Sequence, residues 1–469
     1  MTMRLNDHGG LACTGTTWIL FALVVIAWLV GPSLALVRRG GWRAMPASLL
    51  GYVWLGFAID FVVRFLLLTV DSVEFGNDTF RLADLPASTV DHALLLSLVY
   101  WACIVLGFAL WGRLRSPGLL GAIGVLGGEG SARRRTALLV GTTACFLLSV
   151  GPFGVPLALV TPLGIAGSLW VIPAAATWAD FVAGATERTT DPRSRWLALT
   201  PALVRFLVSP YREHLVPIVL IPTLVWWCAR GRLPRRQVMV AAVALPLFVL
   251  SGSVTQAYRD VLWGGAPIGH VAEGVTGPDD DMIVEPDPGW LVAIRRFHGL
   301  DSLLLTIDLV PSAFPFRDEP ILTDAFVRGL VPRALLPSKA LSDRGPEFAR
   351  TIWAFDSGVD SEAAIAPSMP GDLYHGGGAY TVALGALVWG LLLGLVDRWK
   401  DALPVSGRAA VLVLFATQVV PSVERDFEHC VATLLQTLVV IALSGGVLSQ
   451  MWRRGRPAPL AAGVPELVA

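Results

Sequence analysis

Apolar stretches recur along the whole chain, separated by short polar connections, and several contain no charge at all. Thr17 to Val37 and Ala93 to Trp111 are uncharged, and Thr136 to Trp178 is one uncharged run with room for two helices around Gly151-Pro152-Phe153-Gly154. A helix needs about 20 residues to cross about 30 Å of hydrocarbon, so these are the firmest membrane spans. Weaker ones fit Ala44 to Val70, Trp196 to Val208, Leu215 to Ala229, Val238 to Val254, Ala379 to Val396, Ala409 to Pro421 and Val431 to Leu448. The pattern predicts an all-α polytopic membrane protein with about eleven transmembrane helices and a large extracytoplasmic loop. Residues 1–254 form the N-terminal helices, 255–378 the loop, 379–450 the C-terminal helices and 451–469 a cytoplasmic tail.

Charge orients this layout. Arg38/Arg39/Arg43, Arg113/Arg115/Arg133/Arg134/Arg135, Arg188/Arg193/Arg195, Arg230/Arg232/Arg235/Arg236 and Arg453/Arg454/Arg456 all fall on one side if the spans alternate. Basic residues collect in cytoplasmic loops, so the N-terminus is expected outside, the C-terminus inside and the loop outside, in a bacterial cytoplasmic (inner) membrane. The first apolar segment is too long for a signal-peptide core and has no Ala-x-Ala-like site after it, so it reads as retained. The loop carries nine basic against eighteen acidic residues, although the whole chain sums to zero. Its Pro-rich start reads as irregular. Trp290 to Val310 has leucines and isoleucines at helical spacing, which predicts an amphipathic helix on the outer surface.

Composition agrees: 54% of the 469 residues are hydrophobic and 15% charged, with a mean hydropathy of +0.63. Water is not the main solvent of such a chain. The five cysteines have no paired spacing, so neither a disulfide framework nor a metal knuckle is expected. Phosphate-binding Gly-x-x-x-x-Gly-Lys, His-Glu-x-x-His and Gly-x-Ser-x-Gly are absent. No nucleotide or other cofactor, no metal and no nucleic-acid partner is expected.

The candidate chemistry lies in polar residues at the outer side or within spans. Asp60 and Arg64 stand four apart and can pair on one helix face. Arg205 precedes a tight outer turn holding Arg212, Glu213 and His214. All seven histidines map to the outer face or its edge, where imidazole can move protons near neutrality. Val420 to His429 is a short loop crowded with charge that reads equally as a polar cap. The densest signal runs from Val331 through Arg333, Lys339, Arg344 and Arg350 to Pro367-Ser368-Met369-Pro370-Gly371-Asp372-Leu373-Tyr374-His375 and three glycines. A glycine-rich entry to a helix presents free amides, and arginines can fork onto phosphate.

In these residues the chain resembles the Wzy-type oligosaccharide repeat-unit polymerases, which build O-antigen and similar bacterial surface polysaccharides. The resemblance rests on Arg296 to Ser302, Pro337-Ser338-Lys339, Pro367-Ser368 with Gly371-Asp372-x-Tyr374, the turn at Ser209 to Glu213, and the loop before the last three spans. Ala340 stands where proline commonly follows the lysine, Asp372 where glutamate is usual, and His375-Gly376 where an asparagine-containing step is frequent.

The resemblance implies glycosyl transfer on the outer face between polyprenyl-diphosphate-linked oligosaccharides. Its implied partners are that substrate, the lipid bilayer, a flippase and a chain-length regulator. The leaving diphosphate needs charge stabilisation and the acceptor hydroxyl a base. Arg212, Arg259, Arg295, Arg333 and Lys339 are then the candidate diphosphate clamp, joined by Arg344, Asp372 and Tyr374 as substrate-binding residues. Glu213, His298 and His375 are the candidate bases. The competing readings are a transporter or flippase for a lipid-linked or anionic substrate, an O-antigen ligase, and a non-enzymatic scaffold or sensor.

Overall fold

The computed structural model describes residues 10–37, 41–75, 81–111, 121–127, 131–150, 155–183, 192–209, 214–232, 235, 239, 291, 295, 297–317, 320–331, 344–353 and 367–454. Every regular element among them is helical. Seven helical segments are long and apolar enough to cross a membrane. They are α1 (Gly15–Ala35), α2 (Leu49–Val70), α3 (Ala87–Trp111), the broken span formed by α5 (Leu157–Ser168) and α6 (Val171–Ala183), α13 (Gly378–Asp401), α14 (Val405–Val419, extended by a 3-10 turn to Val423) and α15 (Phe427–Arg454).

The described residues thus hold seven spans where the sequence pattern gives about eleven. The uncharged run Thr136 to Trp178 does divide as expected, into α4 (Ala132–Val150) and the span α5–α6. Three arginines open α4, which lowers its apolar character. Trp196 to Val208 does not form one helix: Pro192–Leu197 is separate from α7 (Thr200–Val208), whose nine residues rise only about 14 Å. The next helix, α8 (Val216–Arg230), has fifteen residues. Val238 to Val254 lies outside the described residues.

Local chemistry sets several boundaries. Thr14 and Thr17 form a reciprocal capping box at the start of α1, and the Ser48 hydroxyl accepts from the Leu50 amide at the start of α2. Trp18, Ile19, Leu23, Ile26 and Leu34 on α1 are exposed, as suits a helix whose outer side faces lipid. Where α3 meets α13, Gly107 lies on the Leu387 carbonyl and Gly390 on that of Ile104, leaving no room for a Cβ. Small residues of this kind let two membrane helices approach backbone to backbone.

Hydrogen bonds fix which helix ends share a face. At one end the Leu11 amide donates to the Leu68 carbonyl at 3.1 Å, and the Thr17 hydroxyl to Asp91. At the other, the Leu49 amide donates to Asp397 at 2.8 Å, Lys400 to the Ala47 carbonyl, and Arg230 to the Val182 carbonyl. Arg135 pairs with Asp180 at 2.5 Å there. Arg135, Arg230 and Lys400 therefore gather at one face, as the basic clusters predict.

At the opposite face lie short helices from the segment expected to form the loop: α9 (Gly299–Leu309), α10 (Ile321–Leu330), α11 (Arg344–Phe348) and α12 (Met369–His375). The surface amphipathic helix expected over Trp290 to Val310 is overturned, because ten of the eleven residues of α9 are buried. It packs on α3, α12 and the middle of α2. Burial is tolerable because its polar groups are answered: the Thr306 hydroxyl donates to the Ser302 carbonyl at 2.6 Å, and Asp301 meets an arginine. Helix α10 packs against α15, with Gly329 on Ala432.

Candidate functional site

Three groups of polar residues lie at this loop-bearing face, and the turn between α14 and α15 contributes to each. The first centres on α2, whose regular winding widens to a π turn over Ala58–Val63. Such bulges reorient side chains and are frequent at functional sites. Here the bulge holds Asp60 and leads into Arg64, both buried. The expected Asp60–Arg64 pairing is not the main one. Arg64 instead forks onto Asp301 of α9, Nε to Oδ1 at 2.8 Å and Nη2 to Oδ2 at 2.5 Å. Asp60 lies beside the Glu424 side chain, and its Oδ1 is buried without a hydrogen-bond partner among the described residues. The first residue of α9, Gly299, rests on Asp60, where an added Cβ would come within 3.1 Å.

The second group surrounds Asp372, which is fully buried on α12. Its Oδ1 accepts from Arg317 at 2.7 Å and from Arg344 at 3.5 Å, while Oδ2 accepts the Phe427 amide at the start of α15 at 3.0 Å. Arg344 also donates to Glu428 at 2.9 Å, and Arg317 to Glu347 at 3.1 Å. Burial disfavours the Arg344 charge, and the neighbouring Asp372 and Glu428 more than compensate, so it stays cationic. Asp426 beside them is pushed up to about 7 by burial and by the Asp372 charge. Ser368 opens α12 at φ 58°, a left-handed conformation, and its hydroxyl accepts the Gly371 amide.

His375 closes α12 inside this group. Burial, followed by the Arg317 charge, lowers it to about 4, so the ring is neutral at neutral pH. Nδ1 is buried without a hydrogen-bond partner among the described residues. With its proton on the other ring nitrogen, Nδ1 can accept. Tyr374 stands edge-on to His92 and Phe316, with its phenol raised by burial.

The third group is a cavity of about 150 Å³ between the α5–α6 break, α8 and α14. Arg205, His214, Arg425, Ser168, Thr417 and Gln418 provide its polar lining. The Arg205 guanidinium sits 3.9 Å from the Phe146 ring centroid and donates to the Ser168 hydroxyl at 3.3 Å. Burial, reinforced by Arg205, lowers His214 to about 3, so it too is a neutral imidazole.

Of the residues singled out in the sequence, Arg344, Asp372, Tyr374 and His375 come together. His298 caps the start of α9 and stands 6.0 Å from Trp353, edge to face. Arg295 is held apart, its Nε donating to the Glu74 carbonyl at 3.0 Å. Arg212, Glu213, Arg259, Arg333 and Lys339 lie outside the described residues. Sequence reasoning missed Arg317, Glu347 and the pairing of Asp301. Arg317 sits in Phe314-Pro315-Phe316-Arg317-Asp318-Glu319, where a charged triplet beside prolines reads as a solvated connector.

Fold and site together define a class: a multi-pass helical membrane protein with short, charge-bearing helices between Gly299 and His375 set into one face of the bundle. Comparison with protein-family models, curated proteins and solved structures finds no match to this chain.

Proposed function

We propose that the protein joins polyprenyl-diphosphate-linked oligosaccharide units at the outer face of a bacterial cytoplasmic membrane, acting as a repeat-unit polymerase. In this reading the face bearing Arg135, Arg230 and Lys400 is cytoplasmic and the loop-bearing face is outside. The observation that carries it is His375: a buried, uncharged imidazole with a bare Nδ1, on the short helix that holds Asp372 and Tyr374. The acceptor sugar's hydroxyl oxygen attacks the anomeric carbon of the donor, and its proton passes to Nδ1. The bond from that carbon to the diphosphate breaks with both electrons leaving on the diphosphate oxygen. Arg317 and Arg344 fix the position of Asp372 and hence of α12, so they act on the base through its helix. No nucleotide is required, because the leaving diphosphate already carries the activation.

The purified protein, incubated with its host's polyprenyl-diphosphate oligosaccharide, is expected to yield a ladder of lengthened products, and His375→Ala to yield none. Absence of any new glycosidic bond with the authentic substrate would sink the reading. Transfer to an unrelated acceptor would mark a ligase. A transport reading draws on one observation, the broken span α5–α6 beside short buried helices, since interrupted helices form many transport sites. Movement of the intact substrate across vesicles without bond formation would favour it.

A further inference from the structure

Consecutive residues in the last turn of α6 each take an arginine from a different element. Asp180 pairs with Arg135 of α4, Phe181 carries Arg195 of the short helix Pro192–Leu197, and the Val182 carbonyl accepts from Arg230 of α8. Arg135 and Arg230 thus meet oxygen acceptors at the negative end of a helix. Arg195 is answered differently. Its guanidinium lies 4.0 Å from the Phe181 ring centroid and 5.8 Å from those of Trp178 and Trp196, which stand edge to face with each other. A ring beneath a guanidinium attracts its charge, while the N–H donors, lying in the guanidinium plane, still call for oxygen. Arg195 Nε and Trp178 Nε1 are both buried without a hydrogen-bond partner among the described residues, and Trp178 is only 5% exposed. The cluster therefore holds donors in surplus.

We infer that this cluster binds the phosphate of an anionic phospholipid, of the charge of phosphatidylglycerol, in the leaflet at the arginine-bearing face. Calling that leaflet cytoplasmic rests on the reading above; the site itself rests on the spans alone. Position selects a lipid over a soluble phosphate. The cluster stands where the span Leu159–Ala183 ends, the level at which a helix leaves hydrocarbon for headgroups. Beside the guanidinium, Phe181, Trp196 and Leu197 are 38%, 57% and 63% exposed, an apolar surface that glycerol and the upper acyl chains can cover. Indole rings favour that depth, with one end apolar and the other wet. Charge selects an anionic lipid over a zwitterionic one. Among the described residues at this helix end, Arg135, Arg195 and Arg230 meet one carboxylate, Asp180, so the site is cationic. A choline head would bring a further cation against them, and a glycerol head brings none.

The test places the full chain in nanodiscs of phosphatidylcholine alone or mixed with phosphatidylglycerol, and uses inorganic phosphate as a separate probe. Native mass spectrometry of the unaltered protein is expected to retain phosphatidylglycerol in preference to phosphatidylcholine. Arg195→Gln should weaken the most tightly held phosphatidylglycerol roughly fivefold. Arg195→Lys, which keeps the charge and loses the flat face on Phe181, should recover part of that loss. A second measurement needs no variant: phosphatidylglycerol in the nanodisc should shield Arg195 from an arginine-directed dicarbonyl reagent, read by peptide mapping, and inorganic phosphate over phosphatidylcholine should not. Equal retention of the two lipids, unchanged retention in Arg195→Gln, or equal labelling of Arg195 in the two bilayers would each overturn the inference. Shielding by inorganic phosphate as strong as that by phosphatidylglycerol would overturn it too, in favour of a soluble anion.

Discussion

The ion network around Asp372 and the cavity around Arg205 share a membrane face and use similar residues, yet they are built to opposite rules. In the network, Asp372, Glu347 and Glu428 meet Arg317 and Arg344, and a helix-start amide fills the remaining side of Asp372. In the cavity, Arg205 and Arg425 face hydroxyls, an amide and an aromatic ring. Charges that answer one another hold chain segments in place, here the loop helices against the start of α15. The cavity instead sets its cations beside open space. The difference teaches that arginines near a membrane surface divide by their partners, and that sequence position alone does not sort them.

The largest test of this contrast is Asp372→Asn, which leaves two buried guanidiniums with a neutral partner. Breaking a buried pair from one side costs about 3 to 5 kcal/mol. Detergent-solubilised protein should therefore unfold at a much lower temperature or fail to accumulate, and an unchanged melting temperature would break the comparison. A middle-sized effect comes from pH. The folded His375 is lowered to about 4, so as pH falls through the unfolded value near 6.5 the unfolded chain takes up the proton first. The His375 share of the stability should decline between roughly pH 6.5 and 4, by up to about 3 kcal/mol, and level off below, against an opposite share from Asp426, which takes up its proton first in the folded chain. His375→Asn should flatten that part of the melting-temperature profile. The smallest effects are expected where a charge is solvated or faces the cavity. Glu347 is 43% exposed at its side chain, so Glu347→Gln should shift stability by less than about 1 kcal/mol. Arg205→Gln should fall in the same range by thermal unfolding, since glutamine keeps a donor for the Ser168 hydroxyl beside a water-sized space; a loss as large as that of Asp372→Asn would place Arg205 among the structural ions.

The long uncharged spans were legible because nothing but a bilayer rewards twenty apolar residues in a row, and α1 and α3 formed close to where the pattern put them. Arg344, Asp372 and His375 were legible through a motif whose residues do converge. Helix α9 was not: Asp301 in an apolar run reads as a surface position until Arg64, 237 residues away, is seen to neutralise it. Asp60 and Arg64 misled for the same reason, since helical spacing reports which partners are near and says nothing of better ones elsewhere. Arg205, His214 and Arg425 were each visible as charged residues near a helix end, and only packing shows that they line one space.

The turn after α14 carries a consequence for how this sequence can drift. Within five positions Glu424 lies beside Asp60, Arg425 lines the cavity, Asp426 accepts the His429 amide and Glu428 answers Arg344. Its information therefore lies in order rather than content. Exchanging Glu424 and Arg425 would preserve composition, net charge and length, and every profile of hydropathy would read the same. It would nonetheless replace the carboxyl beside Asp60 with a cation and set an anion in the cavity, so the segment behaves as a word whose letters cannot be permuted.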